Sequence, residues 1–411
     1  MLPGGGAVFL KQLQLSQFRS YQELDLSFTL GTNLLVGRNG QGKTNVVEAI
    51  SYLATLRSHR VPSDAPLVHL GADSATINAV VAKTEESGQE RNVTLSLQIN
   101  PGKSNRAQIN RAPARRARDI LGITRVIMFA PEDLALVKGD PDGRRKFLDD
   151  VLVQLQPAAA GLLTDYDRIV RQRSSLLKSL SGLKKSGRLP ADLSTLDVWD
   201  QNLVQVGGQI MWLRHRLVEA LQPQVAEMYR AVSSDQGDAK ISYLSSLARF
   251  NAEYRLPQLP GQVSNPEEYQ ELLATGLAQV RSREIERGVC LLGPHRDDLD
   301  LELGPFPAKG YASHGESWSF ALALRLASWL ILGGSGGEEV PQWAMDWGSD
   351  GDPILILDDV FAELDSNRRA LLTELITTSQ QTFITAAVAE DVPEQLQGQI
   401  FQVTSGAVAR Q

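Results

Sequence analysis

Alternating apolar and polar positions characterise the first part of the chain. The runs VFLKQLQLSQF, ELDLSF, SATINAVVAKT, NVTLSLQIN and RAQIN follow this pattern, which is typical of strands with one buried face. The shorter run TNLLV predicts a buried strand. We therefore expect a strand-rich region up to about residue 130, in which polar turns join antiparallel strands.

Helical spacing replaces this pattern from about Pro131 to Arg287. One stretch has apolar residues at alternating steps of four and three, the spacing of a coiled-coil seam: Trp199, Leu203, Val206, Ile210, Leu213, Leu217 and Ala220. A second stretch, from Leu162 to Leu180, is spaced similarly, and SGLKKSGRLPADLST separates the two as a turn. Two interpretations stay open, an antiparallel helical hairpin and a packed helical subdomain without a projecting arm.

The last part of the chain returns to mixed structure. Strands are expected near GVCLLGPHRDDLDLEL, then a helix from Ser317 to Leu332. A Gly- and acid-rich loop from Gly333 to Asp352 and the apolar strand PILILDD follow. The pattern divides the chain into residues 1–130, 131–287 and 288–411.

Composition narrows the class of protein. The 411 residues are 42% hydrophobic and 22% charged, and the formal net charge is -7, so a nucleic-acid partner would need locally concentrated basic residues. A single cysteine, Cys290, excludes a disulfide framework, and its run GVCLL predicts a buried strand thiol. No signal peptide is seen and Arg325 interrupts the longest apolar stretch, so we expect a cytoplasmic protein without a membrane segment.

The segment LLVGRNGQGKTNVVEAI predicts a phosphate-binding loop between a strand and a helix. Gly37, Gly42, Lys43 and Thr44 fit the spacing G-x-x-x-x-G-K-[ST]. Glycines let backbone N–H groups surround phosphate oxygens, Lys43 would reach the β- and γ-phosphates, and Thr44 would offer its hydroxyl to Mg²⁺. The residues expected to bind ATP or GTP are Gly37, Arg38, Asn39, Gly40, Gln41, Gly42, Lys43, Thr44 and Asn45.

The run PILILDDVFAELD supplies the second half of such a site. Asp358 ends an apolar strand, the expected place for a carboxylate that holds Mg²⁺ through water. Asp359 follows as a candidate general base, and its short side chain suggests slow turnover. Asp365 stands where one class of ATPases has a loop that contacts the other subunit. Lys43 and Asp358 lie 315 residues apart, so a large insertion separates the halves of one core.

A third element, SHGE, precedes a helix. Ser313, Gly315 and Glu316 fit S-x-G-[QE] and resemble the signature motif of ABC-type ATPases. Such a motif offers a serine, a glycine backbone and a helix N-terminus to the ATP held by a second copy. ATP would then join two chains into a dimer.

Local basic segments offer candidate DNA contacts. They carry few aromatic residues, which favours contact with the phosphate backbone of duplex DNA over a stacking platform. A solvated basic face, or pairing with nearby acids, is the alternative. The candidates are Arg111, Arg115, Arg116, Arg144, Arg145, Lys184 and Lys185.

Three further residues stay ambiguous in the sequence. Arg60 either reaches the nucleotide in cis or faces the surface or DNA. Arg19 either lines the adenine or supports the first sheet. For His295 a folding or interface role is favoured over metal binding, because no second histidine lies nearby in the sequence.

These motifs, together with QFRSY, SHR, PEDLALVKGDPDGRRKFLD and GPHRDDL, resemble the RecF family of bacterial DNA replication and repair ATPases, short-armed relatives of the SMC proteins. The resemblance runs roughly from Phe9 to Val403, and the last two segments are specific to that family. The chain departs from it at three positions. Glu316 stands where the family commonly has Gln, and Ser317 and Trp318 stand where it commonly has Gln-Arg, so a role of that Arg is not expected here.

The resemblance implies an α/β fold, an ABC-ATPase head with a mixed sheet and an inserted helical arm or subdomain. It implies ATP and Mg²⁺ as cofactors, and an ATP-bound homodimer that binds duplex DNA near single-strand gaps, with single-stranded DNA also possible. RecR and RecO would be partners in loading RecA, and slow ATP hydrolysis would release the protein. Two other functions remain open, a P-loop kinase of a small molecule and an ATP-gated scaffold without hydrolysis.

Overall fold

The computed structural model describes residues 7–84, 89–188, 190, 192–233, 237–250, 265–334, 341, 343–344 and 351–410. The strands are β1 (Ala7–Phe18), β2 (Tyr21–Ser27), β3 (Gly31–Val36), β4 (Ala75–Thr84), β5 (Glu90–Ile99), β6 (Arg106–Ile109), β7 (Ala112–Pro113), β8 (Val126–Phe129), β9 (Ala239–Leu244), β10 (Asp298–Leu303), β11 (Phe306–Pro307), β12 (Ile354–Asp358), β13 (Gln381–Ala386), β14 (Gln399–Thr404) and β15 (Ala407–Arg410).

The α-helices of these described ranges carry the labels α1 to α10 in chain order. They are α1 (Lys43–Thr55), α2 (Leu134–Lys138), α3 (Pro141–Leu155), α4 (Ala159–Lys185), α5 (Ser194–Ser233), α6 (Ser246–Arg249), α7 (Pro266–Arg287), α8 (Ala308–Tyr311), α9 (His314–Ile331) and α10 (Ser366–Ile376).

The first sheet is antiparallel and has the order β2-β1-β4-β5-β6-β7. Buried and partly buried positions alternate along β4, because one face of the sheet packs on a hydrophobic core and the other does not. The strands expected from the alternating runs of the N-terminal region are therefore confirmed. A bulge between Leu10 and Gln12 in β1 shifts the register with β4.

The second sheet joins the two ends of the chain. Its order is β15-β14-β3-β13-β12-β8, and every pair is parallel except β14 with β15. The apolar strand β12 is buried at all five positions, as expected for a parallel strand covered on both faces. This order brings the carboxyl ends of β3, β13 and β12 to one edge, and the architecture is the expected α/β fold with a mixed sheet.

Helices α4 and α5 confirm the two helical stretches of the middle region. They pack against each other, α7 packs on both, and α5 also lies along α9 from the C-terminal part of the chain. Strand β9 pairs with β10 in a small third sheet, across the expected boundary at residue 287. These contacts favour the packed subdomain over a projecting arm, and the three-part division of the chain stays a prediction.

Two local expectations are wrong. The letters SGLKK belong to α4 and not to the turn, since α4 ends at Lys185. Cys290 is buried but is not in a strand, because Gly288, at a φ of +69°, ends α7 and the following backbone bonds to side chains. The Leu291 amide, for example, donates to Glu284 Oε1 at 2.7 Å.

The remaining expectations concern apolar segments. None of the helices in the ranges given above is long and apolar enough to cross a membrane. Trp343 packs partly buried against the main core, which agrees with local packing. Trp347 and most of the Gly333–Asp352 loop lie outside the described residues.

Candidate nucleotide site

The phosphate loop leaves β3 and enters α1 under tight steric constraint. A Cβ atom on Gly37 would lie 2.3 Å from the Val403 carbonyl oxygen, so the neighbouring strand β14 leaves room for glycine only. Gly42 has a φ of +113°, and a Cβ there would lie 2.7 Å from the Tyr21 hydroxyl. That hydroxyl donates to the Gly42 carbonyl oxygen at 3.2 Å. Both glycines thus let the loop close against the first and second sheets.

Lys43 folds back over the loop. Its ammonium donates to the Gly37 carbonyl oxygen at 2.8 Å and to Asn39 Oδ1 at 3.3 Å. Asp359 Oδ1 lies 3.8 Å from the same nitrogen, and the Lys43 side chain is only 3% exposed. The ammonium therefore sits at the centre of the loop among oxygen acceptors.

Asp358 lies at the carboxyl end of β12 and faces the start of α1. Its Oδ1 atom accepts from the Thr44 hydroxyl at 3.2 Å and from the Thr385 hydroxyl at 2.6 Å. Burial, helped by the negative charge of Asp359, raises the pKa of the Asp358 carboxyl to about 6, against the opposing effect of the two hydroxyls. A bound cation would favour the ionised form, because opposite charge lowers a carboxyl pKa.

Asp359 is placed differently from its neighbour. Its backbone has a φ of +52°, in the left-handed region, and its amide donates to the Thr385 hydroxyl at 2.9 Å. The side chain is 34% exposed and points to the Lys43 side of the site. One carboxylate is therefore buried beside Thr44, while the next is open to solvent. Thr385 gave no signal in the sequence, since it lies in an ordinary apolar strand.

Ser313 caps the helix α9. Its hydroxyl accepts from the Glu316 amide at 3.2 Å, and Glu316 Oε2 accepts from the Ser313 amide at 2.7 Å, which is a complete capping box. Ser313 is exposed, and no hydrogen bond or ion pair joins it to the phosphate loop within the described part of the chain. The helix N-terminus is thus presented outward.

Gly315 and Asp365 both lie next to the side chain of Arg368. The guanidinium of Arg368 lies 3.3 Å from where a Cβ atom of Gly315 would stand. Asp365 caps α10, accepting from the Arg368 amide at 3.0 Å and from Arg368 Nη1 at 2.8 Å. The signature segment and the Asp365 loop therefore form one continuous surface.

The unusual residues after Glu316 face the interior. Trp318 is 4% exposed and packs edge-on against Phe129 with ring centroids 5.4 Å apart. The Ser317 hydroxyl donates to the Ser313 carbonyl oxygen at 2.7 Å. In this chain these two positions support the helix and do not face solvent.

Arg60 and Arg19 lie around α1. Arg60 Nη1 donates to Asn45 Oδ1 at 3.1 Å, in the first turn of the helix. Arg19 makes two hydrogen bonds to Glu48, of 2.8 Å and 2.6 Å, which tie the turn between β1 and β2 to α1. Glu48 could not be singled out from the sequence, because it lies within an ordinary helical run.

Some of the basic residues expected to contact DNA are exposed, and others are bonded to acidic residues of the same chain. Arg111, Arg115 and Arg116 are exposed at and after the β6–β7 hairpin, and Lys185 is exposed at the end of α4. Lys184 is 42% exposed and lies 3.8 Å from Glu286.

Arg144 and Arg145 do not fit the predicted DNA contact. Arg144 is 6% exposed and makes two hydrogen bonds to Asp298, of 2.7 Å and 3.0 Å. Arg145 Nη1 donates to the Asp297 carbonyl oxygen at 2.6 Å, and Asp142 accepts from its other nitrogen. Both side chains pair with nearby acids, which is the alternative given above for the basic segments.

His295 contacts Tyr166. Its Nδ1 atom and the Tyr166 hydroxyl share a hydrogen bond of 2.7 Å, and burial lowers the pKa of its imidazole to about 3. Within the described ranges, no three or more His, Cys, Asp or Glu side chains lie together so that they could hold a metal ion.

Comparison with known proteins covers nearly the whole chain. The family model of the RecF/RecN/SMC N terminal domain matches residues 9–408. The DNA replication and repair protein RecF of Beutenbergia cavernae is 48% identical over 409 residues, covering 98% of this chain and all of that protein. RecF of Kineococcus radiotolerans is 49% identical over 401 residues, covering 97% of this chain and 98% of that protein.

A solved structure gives the same relationship at the level of the fold. The recombination mediator protein RecF-ATP in the RecFOR pathway superposes with a TM-score of 0.80 at 25% sequence identity. The match covers 99% of this chain and 100% of that one.

Proposed function

The chain belongs to the RecF/RecN/SMC family, and we propose that it is an ATP-dependent DNA-binding protein of recombinational repair and replication-fork maintenance. The observation that carries the proposal is the meeting of Thr44 with Asp358, which comes from the far end of the chain. The hydroxyl and the carboxylate together suit the Mg²⁺ of a bound nucleotide. The curated relatives of nearly equal length are named for DNA replication and repair.

The phosphate loop binds ATP in this proposal. Lys43 exchanges its loop acceptors for the β- and γ-phosphate oxygens, and the backbone amides of Gly37 to Thr44 contact the remaining oxygens. The Thr44 hydroxyl and the Asp358 carboxylate suit Mg²⁺, which takes a few protein oxygens and completes its shell with phosphates and water. When bound, the ion neutralises charge that develops on the transferred phosphoryl group.

Asp359 acts as the general base for hydrolysis. Its carboxylate is open to solvent at the edge where Lys43 lies, so it can accept a proton from a water that attacks the γ-phosphate. The short aspartate side chain leaves a longer gap to that water than a glutamate would. We therefore infer slow turnover, with ATP serving mainly to switch the protein between two states.

A second copy of the chain completes each site. Ser313 and the N-terminus of α9 are exposed, and Asp365 lies on the same surface through Arg368. This surface would meet the ATP held by the partner chain, where a helix N-terminus stabilises phosphate charge. The proposed assembly is an ATP-dependent homodimer in which Ser313, Gly315 and Glu316 contact the partner's nucleotide.

DNA and the recombination proteins are the proposed partners. Arg111, Arg115 and Arg116 form an exposed basic group suited to phosphate contacts without base readout, with Lys184 and Lys185 as a second group. A solved relative is assigned to the RecFOR pathway, so we propose RecR and RecO as partners in loading RecA. A DNA partner implies that the protein acts in the cytoplasm. The DNA structure that we propose it prefers is duplex beside a single-strand gap.

Fluorescence anisotropy with labelled DNA tests this function. Gapped duplex, plain duplex and single strand are compared with and without ATP and Mg²⁺, over a range of salt. We expect tightest binding to gapped duplex with ATP, and a steep loss of affinity with salt, because each phosphate contact releases about one counterion. The salt slope is the slope of the logarithm of affinity against the logarithm of salt concentration. Changing Arg111, Arg115 and Arg116 together to Gln should reduce its magnitude by about two to three.

The matched control changes three other exposed basic residues to Gln, namely Arg216 and Arg230 of α5 and Lys240 of β9. It alters net charge equally and should leave the slope within about one unit of wild type. An affinity that is insensitive to ATP and to salt would contradict the proposal.

A further inference from the structure

The carboxylate of Glu48 is buried one turn beyond Thr44 in α1. Glu48 is 0% exposed and accepts hydrogen bonds from Arg19 Nε at 2.8 Å, Arg19 Nη2 at 2.6 Å and the Ser58 hydroxyl at 2.5 Å. Burial alone would raise the pKa of this carboxyl, but the bonds from Arg19 and Ser58 lower it below its ordinary value. Glu48 is therefore a charged, buried acceptor close to the phosphate loop.

Its first partner fixes the turn between β1 and β2. Arg19 has a φ of +54°, a left-handed conformation that a non-glycine residue adopts only when its surroundings hold it there. The Arg19 guanidinium also donates to the Pro66 carbonyl oxygen at 2.9 Å. Glu48 thus ties the β1–β2 turn and the segment after α1 to the phosphate-loop helix.

Its second partner sets the course of the chain after α1. While the Ser58 hydroxyl donates to Glu48, its oxygen accepts from the backbone amides of Arg60 at 3.0 Å and Val61 at 3.1 Å. This arrangement folds the segment back along α1 and fixes the backbone of Arg60. The position of Arg60 depends on Glu48 through one intervening side chain.

The Arg60 guanidinium is held by the same carboxylate. Arg60 Nη1 lies 3.7 Å from Glu48 Oε2 and donates to Asn45 Oδ1 at 3.1 Å. Its side chain is still 36% exposed. The arginine therefore stands beside the first turn of α1, next to the loop expected to hold the phosphates, with part of its surface open.

We propose that Glu48 is a positioning residue that holds the Arg60 guanidinium beside the bound nucleotide. This inference rests on the proposed function, since it requires ATP in the phosphate loop. A free arginine side chain loses rotamer entropy when it binds a phosphate, and a partner that fixes it beforehand reduces that loss. Glu48 would supply this order through its charge and through Ser58.

A double-mutant cycle tests the coupling. ATP affinity and single-turnover hydrolysis are measured for Glu48→Gln, Arg60→Ala and the double variant. We expect Arg60→Ala to weaken ATP binding about tenfold, as for loss of a charge-assisted hydrogen bond. Glu48→Gln should weaken it about threefold in the wild-type background and leave it unchanged within about twofold once Arg60 is absent.

The control is Glu284→Gln. Glu284 is an equally buried carboxylate that holds Arg173 at 2.5 Å in the helical region. The Glu284→Gln substitution should lower the melting temperature, as Glu48→Gln should, while ATP affinity stays at the wild-type value. If Glu48→Gln does not fold, Ser58→Ala takes its place in the cycle with the same expected coupling to Arg60.

The outcomes separate the inference from the proposed function. Equal losses from Glu48→Gln with and without Arg60 would mean that Glu48 acts only on overall stability, and would overturn the inference while ATP binding stands. An Arg60→Ala variant with wild-type affinity and hydrolysis would overturn it as well. A wild-type protein that binds no ATP would overturn the proposed function itself.

Discussion

The Thr44 hydroxyl lies 3.2 Å from Asp358 Oδ1, although 314 residues separate the two in the sequence. Thr385 on the intervening strand β13 donates to the same carboxylate oxygen at 2.6 Å. The parallel order β3-β13-β12 makes this meeting possible, because the carboxyl ends of all three strands share one edge. The nucleotide site is thus assembled from both ends of the chain around the helical region.

The buried carboxyl of Asp358 should make stability depend on pH. Its pKa is raised to about 6 from an ordinary 3.8, so the folded state holds a proton that the unfolded state has lost between these values. Stability therefore falls as pH rises through this window, by on the order of 2 kcal/mol. Asp358→Asn should raise the melting temperature of the nucleotide-free protein at pH 7 and change it little at pH 4.

The measurement is thermal unfolding of both proteins at the two pH values without nucleotide. The same variant should lose the stabilisation that Mg²⁺ and ATP give to wild type, because the carboxylate is gone. An equal effect of Asp358→Asn at both pH values would contradict the assignment.

Asp359→Asn separates ATP binding from hydrolysis. The amide keeps the size of the side chain but cannot accept a proton, so single-turnover hydrolysis should fall by about two to four orders of magnitude. ATP affinity should stay within about threefold of wild type, since Lys43 and Thr44 are intact. Quenched-flow hydrolysis and equilibrium ATP titration measure the two quantities. Hydrolysis at the wild-type rate would assign the base to another group.

Arg144→Gln should act on stability and not on DNA binding. The substitution leaves Asp298 without its two hydrogen bonds from Arg144, which is 6% exposed. Breaking such a pair costs about 3–5 kcal/mol. Denaturant unfolding and the salt slope of DNA binding give the two measurements, and Arg115→Gln should show the reverse pattern. A reduced salt slope with unchanged stability would restore Arg144 as a DNA contact.

Trp318→Ala tests whether the departure after the signature segment belongs to the core. Trp318 is 4% exposed, and its removal should cost about 3–5 kcal/mol of unfolding free energy. Phe306→Ala is the control, since Phe306 is 54% exposed and its loss should cost no more than about 0.5 kcal/mol. Chemical denaturation of both variants measures the two losses of unfolding free energy. A small loss for Trp318→Ala would indicate a surface role instead.

Periodicity predicted most strands and helices, because it reports which positions of a segment are buried. The strands β1 to β6 and the long helices α4 and α5 follow from it. The same patterns could not show that Arg144 pairs with Asp298, since the contact depends on how α3 meets β10. An arginine at a helix start has the same local pattern whether it faces solvent or a buried acid.

For the same reason, sequence patterns could not identify two side chains that complete the candidate site. Thr385 and Glu48 occupy ordinary places in a strand and a helix, and each becomes significant only through a partner on another element. Lys43, Thr44 and Asp358 were recognisable because phosphate and metal binding impose fixed spacings on a short segment. Positioning residues carry no such constraint on sequence.

Light scattering on the purified protein, with and without ATP and Mg²⁺, tests the central claim most directly. Wild type is measured beside Lys43→Met, which removes the phosphate contact, and Ser313→Arg, which blocks the exposed end of α9. The account predicts that ATP doubles the mass of wild type while both variants stay monomeric, with Ser313→Arg still binding ATP. A wild-type protein that binds ATP without any change in mass would contradict an ATP-dependent dimer.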